Sequence, residues 1–190
     1  MASRGLFVLG FAASLLAGLG CSGGGGGGST PTPVLACTDG SASAPADGVT
    51  MACGGATNST TELVNVVLVG PSSGATTLRG LNFDVTFDPS MLEYVPAASD
   101  TSPLFSPDAL IAIVPLQGQP GHLVVSIQEF GAILAPVSVG PGQHVVLSLS
   151  FRTAPGTTTM SPTPVGFANT QATAASTAIG FASTLALSYQ

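Results

Sequence analysis

A motif of nucleophilic catalysis occurs near the middle of this 190-residue chain. The segment Gly70-Pro71-Ser72-Ser73-Gly74 fits the Gly-x-Ser-x-Gly pattern of serine hydrolases, in which a strained strand-to-helix turn exposes the serine beside an oxyanion hole. A strand pattern, not a helix, follows the motif here, and its residues are typical of turns. We therefore interpret residues 70–74 as a loop without a catalytic role.

The histidines and carboxylates do not suggest a metal or acid–base site. His122 and His144 are 22 residues apart, which is not a metal-ligand spacing, and we expect both to be exposed. Asp84 and Asp88 could offer oxygens to calcium, but the first belongs to a strand pattern and the second to a tight turn. Paired-carboxylate catalysis needs two acids at a defined separation. The sequence predicts no metal, no cofactor and no enzymatic activity.

Cys21 ends a segment that is typical of an export signal. Arg4 is followed by an apolar run that is too short to span a membrane but suits a signal-peptide core. Gly18-Leu19-Gly20-Cys21 resembles the lipobox of bacterial lipoproteins, in which the cysteine is diacylated and becomes the new N-terminus. We therefore interpret residues 1–20 as a lipoprotein signal peptide and Cys21 as a lipid anchor. The alternative is ordinary cleavage beside an incidental cysteine.

Residues 21–60 are rich in Gly, Ser, Pro and Ala and suggest a disordered tether. A Gly-rich coil of about 40 residues reaches roughly 35 Å. Cys37 and Cys53 form an even pair in an exported chain, which favours a disulfide over free thiols. Closing that loop would stabilise the fold by about 3 kcal/mol. Ser22 beside the anchor, in place of Asp, favours the outer membrane or cell surface by analogy with lipoprotein sorting.

The charge of the chain excludes one class of partner. It has three basic residues, all arginine, and nine acidic residues. Loss of Arg4 with the signal leaves two arginines against nine acids, a net charge of −7. Such a surface repels nucleic acid and anionic lipid head groups. We expect no nucleic-acid binding, and membrane contact only through the lipid.

Period-two alternation of apolar residues recurs from Thr61 to the end of the chain. The segment 81–87 predicts a strand with Leu81, Phe83, Val85 and Phe87 on the buried side. Further strand patterns occur at 63–69, 92–95, 110–114, 123–127, 145–151 (with Val145, Leu147, Leu149 and Phe151 inward) and 181–189. Turn residues such as Gly118-Gln119-Pro120-Gly121 separate them. Short strands without helical periodicity predict an all-β sandwich or barrel.

Four segments in this region resemble the cohesin family. Residues 83–95, in which an alternating strand enters Phe87-Asp88-Pro89 and then Leu92-Glu93-Tyr94-Val95, resemble its main signature. Segments 121–126, 144–152 and 166–169 resemble later family elements in the same order. The resemblance implies a jelly-roll β-sandwich of about nine strands over residues 61–190. It also implies a non-catalytic module that binds dockerin modules and is linked to polysaccharide degradation.

Candidate partner-binding residues come partly from this resemblance and partly from alternation. The family's recognition acids align with Asn82 and Glu129, and alternation places Asn82, Asp84 and Thr86 on one outward face. A plain solvated face is the alternative for these residues. Two other functions stay open, namely carbohydrate binding and a structural envelope lipoprotein without a ligand. The first is disfavoured because the chain has no Trp and only two Tyr for stacking on sugars. We expect a monomer.

Overall fold

The structure is a computed structural model that describes residues 34–39, 45–96, 102–130 and 135–190. The predicted signal peptide, Cys21 and the glycine run lie outside the described residues. Over the described ranges the chain forms strands and no helix. The strands are β1 (Leu35–Thr38), β2 (Gly48–Asn58), β3 (Thr61–Val69), β4 (Thr76–Leu78), β5 (Gly80–Thr86), β6 (Leu92–Val95), β7 (Leu110–Pro115), β8 (His122–Gln128), β9 (Val137–Val139), β10 (Gln143–Thr153), β11 (Thr163–Pro164), β12 (Gly166–Thr173), β13 (Gly180–Phe181) and β14 (Ala186–Tyr189). In this part of the chain, no helix is long and apolar enough to cross a membrane.

Two large sheets form the body of the domain. Sheet I has the strand order β13-β2-β3-β10-β6, and sheet II has the order β12-β5-β8-β7. Neighbouring strands are antiparallel except for β13, which pairs parallel to β2. Two small sheets, β1-β14-β11 and β4-β9, complete the described part of the fold. The predicted all-β sandwich of about nine strands is confirmed, because sheets I and II together hold nine of the described strands.

The alternation in β5 builds the centre of the core. Leu81, Phe83 and Val85 are at most 1% exposed. Aromatic rings pack between the sheets, with the Phe83 ring 6.0 Å from that of Phe181 and the Phe87 ring 5.2 Å from that of Phe151. Burial of such a side chain contributes about 1.5–3 kcal/mol. The prediction that alternate residues of 81–87 face the interior is confirmed, although Phe87 is only partly buried.

The predicted alternation is wrong at the start of β10. The register against β3 shifts between Val145 and Leu147, which marks a β-bulge. An extra residue in one strand reverses the alternation on one side of it. Val146 and Leu147 are therefore both buried, whereas Val145 is half-buried.

The sandwich begins earlier in the chain than predicted. Residues 35–58, assigned to the tether from their composition, contain β1 and β2, and β2 pairs with β3 along its whole length. Val49 and Met51 of β2 are buried, so this strand contributes to the core. A disulfide between Cys37 and Cys53 joins β1 to β2. The folded domain therefore starts at β1 and not at residue 61.

The last predicted strand, 181–189, is divided into two. Phe181 belongs to β13 in sheet I, whereas residues 186–189 form β14 in a separate small sheet. Between them the Leu185 N–H donates a hydrogen bond to the Ser183 hydroxyl oxygen at 3.3 Å. This local bond gives the backbone an alternative to a continuous ladder, which explains the interruption.

Candidate functional site

The outer face of sheet II carries the predicted residues of β5. Asn82 lies opposite Ser126, Asp84 opposite Val124 and Thr86 opposite His122 in the β5–β8 register. Because facing residues of an antiparallel pair point to the same side, these side chains share one surface. We call this surface, formed by the even-numbered residues of β5, β7 and β8 with their β12 neighbours, the outer face of sheet II. The predicted common face of Asn82, Asp84 and Thr86 is present.

A polar network centred on Asn82 occupies one half of this face. Ser126 Oγ donates to Asn82 Oδ1 at 2.7 Å, and Gln128 Nε2 donates to the same oxygen at 3.1 Å. Asn82 Nδ2 and Gln128 Nε2 in turn donate to Thr173 Oγ1 at 3.3 and 3.2 Å. The network holds the Asn82 amide of β5 in one orientation through bonds to side chains of β8 and β12. It leaves oriented, uncharged hydrogen-bonding groups on this half of the face.

Asp84 and His122 form a second polar cluster on the same face. Asp84 is 7% exposed, and its Oδ2 accepts a hydrogen bond from Asn169 Nδ2 at 2.5 Å. His122 Nε2 lies 3.2 Å from that oxygen without the alignment of a hydrogen bond. The Nδ1 atom of His122 lies 3.0 Å from Gln119 Oε1. His122 is therefore half-buried, and the predicted exposure of this histidine is wrong.

Backbone geometry places both members of this cluster. Asn169 has φ 47 and lies in the irregularity between Ala168 and Gln171, where β12 loses its regular pairing with β5. This bulge lets Asn169 reach Asp84. Gly121 precedes His122 with φ 81, and a Cβ there would lie 2.2 Å from the Phe87 carbonyl oxygen. Only glycine fits such a close approach, so Gly121 fixes the start of β8.

Exposed apolar side chains continue the outer face towards β7. Leu110, Val114 and Val124 are 54%, 55% and 37% exposed. Val114 lies directly opposite Val124 in the β7–β8 register, so the two form one patch. Sequence reasoning missed this patch and the network partners Ser126 and Gln128. The alternation of 122–128 was the signal that could have placed them, because the even residues of that strand face outward.

Glu129, the second predicted recognition acid, has a different environment. It is 7% exposed, and its two carboxylate oxygens accept hydrogen bonds from the Ser106 backbone N–H at 2.6 Å and the Ser106 hydroxyl at 2.7 Å. These bonds anchor the segment between β6 and β7. The structure therefore gives Glu129 a contact within the fold and does not bring it to the Asn82 network.

The other residues considered for chemistry lie apart from this face. Gly70–Gly74 connects two strands, β3 and β4, so the strand-to-helix turn of a serine hydrolase is not formed there. His144 is half-buried rather than exposed, and its Nε2 lies 3.0 Å from the Gly140 carbonyl oxygen. Asp88 accepts hydrogen bonds from the backbone and hydroxyl of Ser90 in the turn before β6. The Ser90 hydroxyl lowers the pKa of Asp88.

A cavity of about 370 Å³ is lined by the edge strands β6 and β7. Phe87, Tyr94 and five prolines are among its lining residues, and His122 reaches it from β8. At its rim Arg152 binds Glu93 through two hydrogen bonds of 3.0 and 2.9 Å. These bonds hold the pKa of Glu93 below its usual range. This cavity was not predictable from the sequence, because its lining residues come from distant segments of the chain.

Comparisons with known proteins identify the fold. No protein-family model matches the chain, and no curated relative matches its sequence. Among solved structures, a chain of a type I cohesin–dockerin complex from Clostridium thermocellum is 11% identical, with a TM-score of 0.52 over 78% of this chain and 97% of that one. The second type II cohesin module of an adaptor scaffoldin from Acetivibrio cellulolyticus is 14% identical, with a TM-score of 0.50 over 72% and 87%. The fold is cohesin-like, as the sequence resemblance indicated.

Proposed function

We propose that this chain is a non-catalytic protein-binding module that recognises a dockerin-type partner through the outer face of sheet II. The cohesin-like fold supports this class of function. At this level of identity the similarity concerns the fold, so the choice of face must be supported by the residues themselves.

The combination of surfaces on that face is the observation that carries the proposal. An oriented polar network at Asn82 adjoins the exposed apolar patch of Val114 and Val124. Protein interfaces combine an apolar centre free of charge with well-placed hydrogen-bonding groups. Because the amide of Asn82 is already held by its neighbours, binding does not have to order it.

The contacts of His122, which lies on this face, support the proposal that the module is not catalytic. The ring nitrogens of His122 lie next to Gln119 and Asp84, neither of which carries a hydroxyl or thiol. The hydroxyl of Ser126 donates to Asn82, away from the imidazole. Catalysis of the serine or cysteine type requires a hydroxyl or thiol within reach of its base.

We further propose that the module is exported and held at the cell envelope by a lipid on Cys21, where it would help to assemble polysaccharide-degrading proteins. The lipobox-like sequence supports the anchor, and the disulfide of Cys37 and Cys53 suits an oxidising compartment.

Affinity measurements with a panel of purified dockerin modules test the proposal. Asn82→Ala and Val124→Lys should each weaken binding by at least about tenfold, because they remove a central hydrogen bond or place a charge in the apolar patch. Asn65→Ala is the matched control: Asn65 accepts a hydrogen bond from Ser148 on sheet I at 2.6 Å, the same pairing on the opposite face. Val34→Lys, at a 41% exposed valine elsewhere, controls for added charge.

Two results would overturn the proposal. One is dockerin binding that Asn82→Ala and Val124→Lys leave unchanged. The other is retention of the chain on insoluble polysaccharide with no binding to any dockerin module. Loss of that retention in Tyr94→Ala would then favour the alternative of carbohydrate binding at the cavity beside β6 and β7.

A further inference from the structure

The four edges of sheets I and II differ in how well they are protected from further pairing. Among the described strands, β13 has two residues and β6 has four, with Glu93 on the latter. The β12 edge is interrupted by its bulge at Asn169. The β7 edge, Leu110-Ile111-Ala112-Ile113-Val114-Pro115, has six residues without charge or irregularity. Proteins usually shield edges with charge, proline, bulges or short strands, and of these β7 has only its terminal proline.

The β7 edge is also the apolar margin of a strongly acidic chain. The chain has a net charge of −6, but no residue of β7 is charged. Leu110 and Val114 are more than half exposed. Contact between two copies through their acidic residues is disfavoured by like charge, whereas β7 lets two copies meet without bringing like charges together.

The backbone of β7 has free groups at alternate residues. The Leu116 N–H donates to the His122 carbonyl at 2.8 Å, in the same register as the pairing of Leu110 with Gln128. Even-numbered residues of β7 therefore direct their N–H and C=O groups to β8. The groups of Ile111 and Ile113 point to the open edge, and Pro115 has no N–H to leave unpaired there.

We propose that two copies of this chain associate by antiparallel pairing of β7 with β7 about a two-fold axis at Ala112. In this register Ile111 of each copy forms a hydrogen-bonded pair with Ile113 of the other, which satisfies four N–H groups. Leu110 of each copy faces Val114 of the other on the outer side. The small Ala112 side chains meet at the axis. A one-residue shift would place outward side chains against inward ones, so the pleat selects this register or one two residues away.

The association extends sheet II from four to eight strands and places two outer faces side by side. It does not depend on the proposed function, and it differs from the monomer expected from the sequence. A pairing of six-residue strands is smaller than the roughly 1,200–2,000 Å² of a stable interface. The dissociation constant is therefore expected to be micromolar or weaker.

Sedimentation velocity of the full chain between about 5 and 500 µM measures this association. Leu110→Glu and Val114→Lys should each weaken self-association by at least tenfold (~1.4 kcal/mol), because each sets a charge against an apolar residue of the other copy. An equimolar mixture of these two variants should dimerise again, since Glu at 110 then faces Lys at 114. Val34→Lys should not change the dimer.

Cross-linking tests the register independently. Residues at a non-hydrogen-bonded antiparallel pair have Cα atoms about 4.5 Å apart, which is within reach of a disulfide. Ala112→Cys should therefore give a covalent dimer on mild oxidation, whereas Ala168→Cys, on the opposite edge strand of the same sheet, should not.

A chain that stays monomeric at 500 µM would overturn the proposal. A dimer that neither charged variant weakens, or that Ala168→Cys cross-links equally well, would do the same. Dockerin affinity is measured separately, so the two proposals can fail independently.

Discussion

The imidazole Nε2 of His122 lies 3.2 Å from Asp84 Oδ2, and that oxygen also accepts the hydrogen bond from Asn169. One carboxylate thus contacts β8 on one side and β12 on the other. Asp84 is the most buried polar group on the outer face of sheet II and connects three of its four strands.

Removal of this carboxylate should destabilise the domain. Asp84→Ala removes the acceptor of the Asn169 hydrogen bond and the carboxylate next to the His122 imidazole, which is expected to cost about 1–3 kcal/mol. Urea denaturation measures the effect. Asp108→Ala, at an exposed acid, is the control, and equal midpoints for the two variants would contradict the role assigned to Asp84.

Glu62 should make the stability depend on pH. It is 4% exposed, and burial raises the pKa of its carboxyl above the ordinary value of 4.5. The folded state therefore favours the protonated form, and this contribution is full below 4.5 and lost as pH rises through the raised pKa. Glu62→Gln should increase the melting temperature at pH 7 and reduce the decline of stability above pH 4.5.

Glu93, whose pKa is shifted in the opposite direction, provides the comparison for Glu62. Arg152 lowers the pKa of Glu93, so the stability due to Glu93 is present at neutral pH and lost as pH falls. Glu93→Gln should therefore decrease the melting temperature at pH 7. If calorimetry shows that Glu62→Gln decreases the melting temperature at pH 7, as Glu93→Gln is expected to do, the assignment for Glu62 is incorrect.

The disulfide should contribute a substantial part of the stability. Cys37 and Cys53 are 16 positions apart in sequence, and a loop of this length is expected to stabilise by about 3 kcal/mol in the chain-entropy model. The double variant Cys37→Ser/Cys53→Ser should lose that amount in chemical denaturation. Reduction of the disulfide in the unaltered chain should give the same loss. If the double variant lost less than about 0.5 kcal/mol, which is the range of ordinary surface substitutions, the cross-link would be dispensable.

Cys21 should determine where the chain is found in the cell. Cys21→Ser should move the protein from the membrane fraction to the soluble exported fraction, because a diacylated cysteine supplies two chains for stable anchoring. Fractionation and metabolic labelling with a fatty acid measure this. Membrane retention of Cys21→Ser, or no label on the unaltered chain, would exclude the lipid anchor.

Alternation predicted the central strands because burial on one face leaves a period of two in the sequence. It placed Leu81, Phe83 and Val85 correctly. It was wrong at Val145, because a bulge changes the period without a residue type that marks it. Composition was misleading at 35–58, where small residues resemble a linker although β2 pairs fully with β3.

The candidate face was predictable only in part. The outward positions of Asn82, Asp84 and Thr86 followed from one strand, but their contacts depend on which strands are neighbours. The Asn82 network joins residues up to 91 positions apart. Glu129 was misjudged for the same reason. An acid that follows a strand is expected to be exposed, but the segment containing Ser106 packs over Glu129 and buries it.

The position of β1 has a mechanical consequence. Val34 and Gln190 exchange backbone hydrogen bonds, so a pull on the chain before β1 acts first on the β1–β14 pairing. Three residues further on, the covalent link from Cys37 to Cys53 carries the load directly into sheet I. If the module is pulled through its N-terminal segment, by flow or by a bound substrate, β1 would thus stay attached to the domain for as long as the disulfide is intact.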